Sequence, residues 1–323
     1  MNAFRRMLRS DSLGLALVVL LGGAALSIAR PEFLTAYNID VILVGFCLTV
    51  IYALGQGVII AIGHMNLALG ATGCLVAVSF GGAMQVWGLP VWAAVIFGLL
   101  IGMFCGFVNG WLTHKSGLTS FIITLATMSI FKGISLGITE AQPFYGVAES
   151  VKAFGSDRWG PLPETLLVAL PIVIGLAVFL GRMIPGRQML AFGGNPSAAE
   201  LSGISRARMV ILAHTLSGLL AAIAGMMSVA RLQLASPAIG DEWLIASFAA
   251  PVIGGAVLSG GHLSVLGTCL GVLIVSLINQ ALVMLAVDPF YVQVLLGALI
   301  LGAVGLNRLR ESRMGNAPVL RLS

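Results

Sequence analysis

The chain has 323 residues, of which 59% are hydrophobic and 9% charged, with a formal net charge of +5 and a mean hydropathy of +1.04. Soluble domains carry about 25% charged residues, so a water-soluble enzyme is excluded. The sequence reads as an all-α, polytopic transmembrane helical bundle. The basic balance, with a pI near 9.3, raises the question of a nucleic-acid partner, and the placement of the charges answers it below.

A bilayer core takes about 20 apolar residues of helix. In chain order the apolar blocks lie at 13–29, 41–62, 68–84, 91–112, 119–139, 165–181, 209–230, 243–257, 263–285 and 290–306. These make about ten spans, some of them broken helices, in a single transmembrane domain over 1–323. Arg5, Arg6 and Arg9 ahead of the first block, with Ser27-Ile28-Ala29 behind it, resemble a signal peptide. The apolar stretch is longer than a usual signal core, so a retained first helix is expected.

Ten spans place both termini on one side. If that side is the inside, inner segments hold twelve of the seventeen Lys and Arg residues and outer segments hold four, Arg30, Lys152, Arg158 and Arg231. Lys132 alone falls within a span, and the acidic residues concentrate outside. This is the positive-inside pattern. The basic pI therefore reports topology and no nucleic acid is implied. The outer segment 140–164 is long and rich in proline. The inner segment 182–208 is the longest polar stretch on its side, and within it Asn195-Pro196-Ser197 is expected to open a short helix stopped by Gly203.

Several features bear on chemistry. Gly98, Gly102, Gly106 and Gly110 step by four along one predicted helix, a line that lets a neighbouring backbone approach closely. Gly133-Ile134-Ser135-Leu136-Gly137 spells the G-x-S-x-G pattern, but within a predicted helix rather than at a strand-turn-helix elbow. Cys47, Cys74, Cys105 and Cys269 sit in apolar blocks without metal-ligand spacing, and His64, His114, His214 and His262 form no H-E-x-x-H. No metal or other cofactor is expected. A P-loop is absent, so the chain does not bind ATP through one. Lys132, near mid-span, marks either a pathway or a buried partner, or else snorkels. No carboxylate lies in a span, which argues against ion-coupled transport. Two glycine-rich interruptions, Ile62-Gly63-His64-Met65-Asn66-Leu67 and Leu258-Ser259-Gly260-Gly261-His262, break apolar runs, as cavity-lining broken helices do. Each places Gly-His before an apolar stretch and a glycine, a faint internal repeat.

Three stretches, NGWLTHKSGLTSFIITLATMSIFKGISLGIT (109–139), GRQMLAFGGNPSAAELSGISRAR (186–208) and VIGGAVLSGGHLSVLGTCLG (252–271), together resemble the permease subunits of ribose-type sugar ABC importers. The resemblance runs from about residue 40 to 306. It implies a permease in the bacterial inner membrane, both termini cytoplasmic, paired with a second copy of itself or a paralogue. It also implies a cytoplasmic ABC ATPase and a periplasmic substrate-binding protein. By resemblance, the segment 182–208 is a cytoplasmic coupling loop whose contact with the ATPase involves Gly193, Gly194, Asn195, Ala198, Ala199, Leu201, Ser202 and Gly203. Members commonly read G-G-I-D-L-S-V-G where this chain has Gly63-His64-Met65-Asn66-Leu67-Ala68-Leu69-Gly70, so an acid is replaced by Asn66. That change leaves the solute open and fits one half of a heterodimer.

The function expected is ATP-driven import of a monosaccharide or related small polar solute by alternating access, with no bond chemistry in this chain. Polarity at membrane depth nominates His64, Asn66, Asn109, Thr124, Thr127 and Lys132 for the substrate pathway. The rivals are an ion-coupled secondary transporter, an intramembrane hydrolase using Ser135, and an ABC permease for another solute such as a polyol, a nucleoside or a signalling sugar.

Overall fold

The computed structural model describes residues 11–160 and 162–285, with isolated positions between 291 and 305. The predicted block 290–306 therefore lies largely outside the described residues, as do the terminal basic residues Arg5, Arg6, Arg9, Arg308, Arg310, Arg313 and Arg321. The apolar blocks form α1 (Asp11–Ala29), α2 (Ala36–Ala61), α3 (Leu69–Gln85), α4 (Val91–Ser116) and α5 (Ser120–Thr139). A short amphipathic α6 (Glu149–Ser156) and a two-residue hairpin, β1 (Arg158–Trp159) with β2 (Leu162–Pro163), lead to α7 (Leu166–Arg182). Then follow α8 (Ile184–Gly194), α9 (Pro196–Leu201), α10 (Arg206–Leu232), α11 (Trp243–Ile253) and α12 (Val265–Met284).

Among the described residues five helices, α2, α4, α5, α10 and α12, are long and apolar enough to cross a membrane unaided. α7 and α8 together make a sixth, bent by 69° at Met183. α1, α3 and α11 are apolar but shorter. Length thus does not fix the number of crossings at ten. The segment 182–208 also differs from a polar loop, because its first half is helical. Gly186, Met189, Phe192 and Gly193 recur on one buried face of α8, and Pro185 in its first turn supplies a helix-compatible φ without needing a donor.

Centre and rim follow from composition. α3 (LGATGCLVAVSFGGAMQ) has no charge and almost only small or apolar side chains, so it can be enclosed on every side, and Leu69 through Met84 are all buried. α2 is buried from Val50 to Ala61, and α10 over most of its second half. Among the described residues the helices α5 packs on are chiefly α3 and α4, and Phe121, Ile122, Leu125, Ile130 and Ile134 stay exposed on its other face. Side-chain caps start the helices that need them. Thr35 caps α2, Ser205 caps α10 and Ser264 caps α12, each accepting a backbone N–H three residues on.

The glycine line on α4 finds its neighbour in α10. A Cβ at Gly98 would lie 2.9 Å from the Met226 sulfur, one at Gly106 would fall on the His214 carbonyl, and one at Gly110 would lie 2.7 Å from the Ile211 Cα. Gly218 answers from α10, where a Cβ would lie 2.9 Å from the Gly106 backbone. The two backbones thus meet without side chains between them, as dispersion between helices in lipid requires. Gly106→Val is expected to cost about 1–3 kcal/mol of stability, read as an earlier thermal unfolding in detergent. Gly22→Val on α1, where a Cβ meets nothing within 4 Å, should change it by less than about 0.5 kcal/mol.

Candidate functional site

The segment following α8 is built around one cap. Asn195, in an extended conformation, accepts the Ala198 N–H on its side-chain oxygen at 3.0 Å, and Pro196 occupies the first turn of α9. The Ser202 hydroxyl donates to the Ala198 carbonyl at 2.9 Å, and Gly203 turns the chain with φ +83°. In that left-handed region a side chain is strained. Of the residues the resemblance assigns to ATPase contact, Gly193 and Ala199 are buried within this chain, while Gly194, Asn195, Ala198, Ser202 and Gly203 are exposed. Leu201 stands 91% exposed beside Glu200, which faces Arg206 at 3.8 Å.

Behind α9 the two glycine-rich breaks and the end of α8 converge. The Gly261 N–H donates to the Ala61 carbonyl at 2.9 Å, joining the break after α11 to the end of α2. A Cβ at Gly260 would lie 2.7 Å from both the Gly193 carbonyl oxygen and the Gly63 nitrogen. At Gly63 a Cβ would lie 2.8 Å from the Ser259 carbonyl, and at Gly193 it would fall on the Ala61 carbonyl. Three chain segments therefore meet backbone to backbone through Gly63, Gly193, Gly260 and Gly261. The faint Gly-His repeat corresponds in space to this contact, although His64 is half-buried and His262 exposed.

In lipid an unpaired backbone group is costly, and the break after α2 satisfies all of its donors. The Ile62, Gly63 and His64 N–H groups return to Ile59 and Ile60 carbonyls. Met65 N–H donates to Ser120 Oγ at 3.1 Å and Leu67 N–H to Thr124 Oγ1 at 3.0 Å, both on α5. With its amide oriented to satisfy both groups, Gln56 accepts the Asn66 N–H at 3.3 Å and donates to the Asn66 carbonyl at 3.0 Å. The Asn66 side chain accepts the Ala68 N–H at 3.0 Å and donates to Ser217 Oγ at 3.1 Å. Asn66 is thus a buried brace between α2, α3 and α10, and the amide supplies the donor that a carboxylate at this position would lack.

The other pathway nominees divide by exposure. Asn109, Thr124 and Thr127 are buried, Thr127 donating to the Thr124 carbonyl at 3.3 Å. His64 and Lys132 are half-buried. The His64 ring lies 6.0 Å from that of His214, whose two ring nitrogens are buried without partners among the described residues. Lys132 Nζ donates to the Pro237 carbonyl at 2.6 Å and pairs with Asp241, tying α5 to the α10–α11 connection. It therefore has an acidic partner. The Ser135 hydroxyl is buried and donates to the Phe131 carbonyl of its own helix at 2.8 Å, so the G-x-S-x-G pattern lies within a helix and not at a strand-turn-helix elbow. Gln56, Ser120, Ser217 and Asp241 were not singled out by sequence. Gln56 had a legible signal as the one amide within block 41–62.

Comparison with known proteins supplies a context. The sequence profile described as "Branched-chain amino acid transport system / permease component" matches residues 38–304. The chain is 35% identical to the ribose import permease protein RbsC of Bacillus subtilis (strain 168), over 93% of this chain and 92% of that protein. It is 35% identical to the D-allose transport system permease protein AlsC of Escherichia coli (strain K12), over 91% and 90%. Against the fructose import permease protein FrcC of Rhizobium meliloti it is 33% identical, over 91% and 82%. A solved structure described as an inward-facing conformation of a metal-chelate type ABC transporter matches with a TM-score of 0.55, covering 93% of this chain and 98% of that one. At 15% identity that likeness concerns the fold alone.

The adjacent glycines of α8 separate packing from local propensity. Gly193→Ala places a methyl group on the Ala61 carbonyl, whereas a Cβ at Gly194 meets only the Gly261 Cα at an ordinary 3.7 Å. Gly193→Ala is expected to cost about 1–3 kcal/mol and to open residues 255–263 to limited proteolysis. Gly194→Ala should stay within about 0.5 kcal/mol of the parent. Equal effects in thermal unfolding would remove the backbone contact as the cause.

Proposed function

The chain belongs to the branched-chain amino acid transport system / permease component family and, within it, to the permeases of sugar ABC importers, and on that premise we propose that it carries a monosaccharide across the bacterial inner membrane by alternating access. It is a multi-pass transport subunit and not an enzyme. Its energy comes from a separate cytoplasmic ABC ATPase, its solute from a periplasmic binding protein, and it pairs with a second copy or a paralogue. The printed names of the relatives point to the monosaccharide class, with ribose, allose and fructose among the solutes. The twelve-to-four bias of basic residues supports cytoplasmic termini and an inner-facing 182–208 segment.

One observation carries the mechanism. The capped helix α9 presents the exposed Leu201, and the end of α8 that holds α9 is packed through Gly193 on both broken helices. A push on α9 by a closing ATPase pair is thereby delivered to the breaks at 62–68 and 254–264 rather than dissipated in a loose loop. In this reading Leu201, Ala198, Ser202 and the turn at Gly203 meet the ATPase, while Gly193, Gly194, Asn195 and Ala199 hold that surface in place. His64 and Lys132, the two half-buried nominees, offer polar contacts to a passing sugar. Asn66, Asn109, Thr124 and Thr127 support the wall behind them.

The test is uptake of radiolabelled ribose, with allose and fructose as competitors, into vesicles holding the chain, its co-purifying ATPase and the binding protein. Uptake is expected to require ATP, and Leu201→Asp or Glu200→Lys should lower it by about tenfold or more with the protein still inserted and folded. An imposed proton or sodium gradient driving the same uptake without the ATPase would establish the ion-coupled alternative. Unchanged uptake in both variants would remove α9 from the coupling surface.

A further inference from the structure

The structure assigns a phospholipid site to an apolar groove between α4 and α7, its acyl chain lying under α6 and its phosphate beside Arg231. α4 and α7 are barely in contact, and the gap between them is floored by α10 and closed at one end by α6. The cavity measures about 380 Å³ and is lined by Val95 and Leu99 of α4, Val151 and Phe154 of α6, Val168 of α7 and Met226 of α10, among others. Ser150, exposed at the start of α6, is the one hydroxyl at its wall. A recess so apolar does not hold ordered water, and its size falls in the range of roughly 300–1,000 Å³ that takes small ligands.

Depth and shape select the occupant. The lining begins at Val91, the first residue of α4, and reaches Leu99, about 12 Å of helix. That distance is within a single leaflet of a hydrocarbon core roughly 30 Å thick. A helix of a second copy, about 10–12 Å across with its side chains, would fill roughly 1,000 Å³ over that length, well beyond the 380 Å³ of the cavity. A single extended alkyl chain fits, and at that depth the surrounding solvent is made of such chains.

Charge at the rim supplies the headgroup. Of the four basic residues in the segments read as outer, Lys152 lies on α6 and Arg231 at the end of α10, two of the elements that wall the groove. Lys152 is paired with Glu149 at 2.8 Å and Arg158 with Asp40 at 2.8 Å. Arg231 directly follows Ala230, which lines the groove. It is exposed and makes no ion pair among the described residues. Gly155 locks α6 against this point, because a Cβ there would fall on the Ala230 carbonyl and lie 2.7 Å from the Arg231 backbone nitrogen. A roof, an apolar slot and an exposed cation next in sequence to its lining match the two ends of an anionic glycerophospholipid. The site needs only that the chain lies in a bilayer, and it does not depend on which solute is carried.

Native mass spectrometry tests it on the intact protein equilibrated with vesicles of equimolar phosphatidylglycerol and phosphatidylcholine, then released into mild detergent. One phosphatidylglycerol per chain should survive. Val95→Trp and Leu99→Trp, which fill the slot from its half-buried wall, should each lower its retention by about tenfold, equivalent to about 1.4 kcal/mol. Arg231→Gln should abolish the preference over phosphatidylcholine while leaving thermal unfolding unchanged. Equal retention in the parent and both tryptophan variants would overturn the site. So would equal retention of the two lipids by the parent, or a change of oligomeric state in the tryptophan variants with lipid binding intact.

Discussion

Where α2 ends, where α8 ends and where the chain breaks after α11, backbone meets backbone with no room for a single methyl group. Gly63, Gly193, Gly260 and Gly261 occupy that point, and the Gly261 N–H closes it on the Ala61 carbonyl. Such a contact is a stiff joint. Side chains between two segments can change rotamer and absorb a displacement, but abutting backbones transmit it. The position of α9, the end of α8 and the course of both broken helices are tied to this joint.

The joint is useful only because the breaks beside it are not frayed. From Ile62 to Ala68 each backbone N–H finds an acceptor, on α2 itself, on Gln56, on Ser120 and Thr124, or on the Asn66 side chain. Asn66 joins three helices, its backbone held by Gln56 of α2 and its side-chain amide by Ala68 ahead of α3 and Ser217 of α10. Elsewhere the chain is held by smooth surfaces, above all the glycine seam of α4 on α10. Dispersion across such a seam resists separation more than sliding. Rigid polar braces around the breaks thus stand beside a smooth seam, the arrangement that the proposed alternation between two states requires.

The helical, membrane-spanning character was legible because hydropathy is summed over about 20 residues and survives local irregularity. The α9 cap was legible because Asn-Pro-Ser followed by good helix formers and Gly203 is a local signal. The glycine line on α4 was also readable, but its partner was not, since spacing on one helix says nothing about which helix lies opposite. The same limit hid the joint. Gly63, Gly193 and Gly260 are far apart in sequence, and each alone reads only as a break or a cap. Lys132 shows the remaining gap, because its partner Asp241 stands just ahead of an apolar block, where an acid looks like an ordinary loop residue. Within 182–208, α8 went unread because its apolar face is too short for a span and its period was masked by the polar residues around it.

Hydrogen exchange of the intact protein, followed by mass spectrometry, measures the joint most directly. Peptides covering 59–65 and 257–263 should be protected to the same degree, and Gly193→Ala should speed exchange in both by a common factor while leaving α4 and the second half of α10 unchanged. Independent exchange in those two peptides, or acceleration of only one of them, would contradict the account that they move as one body with α8.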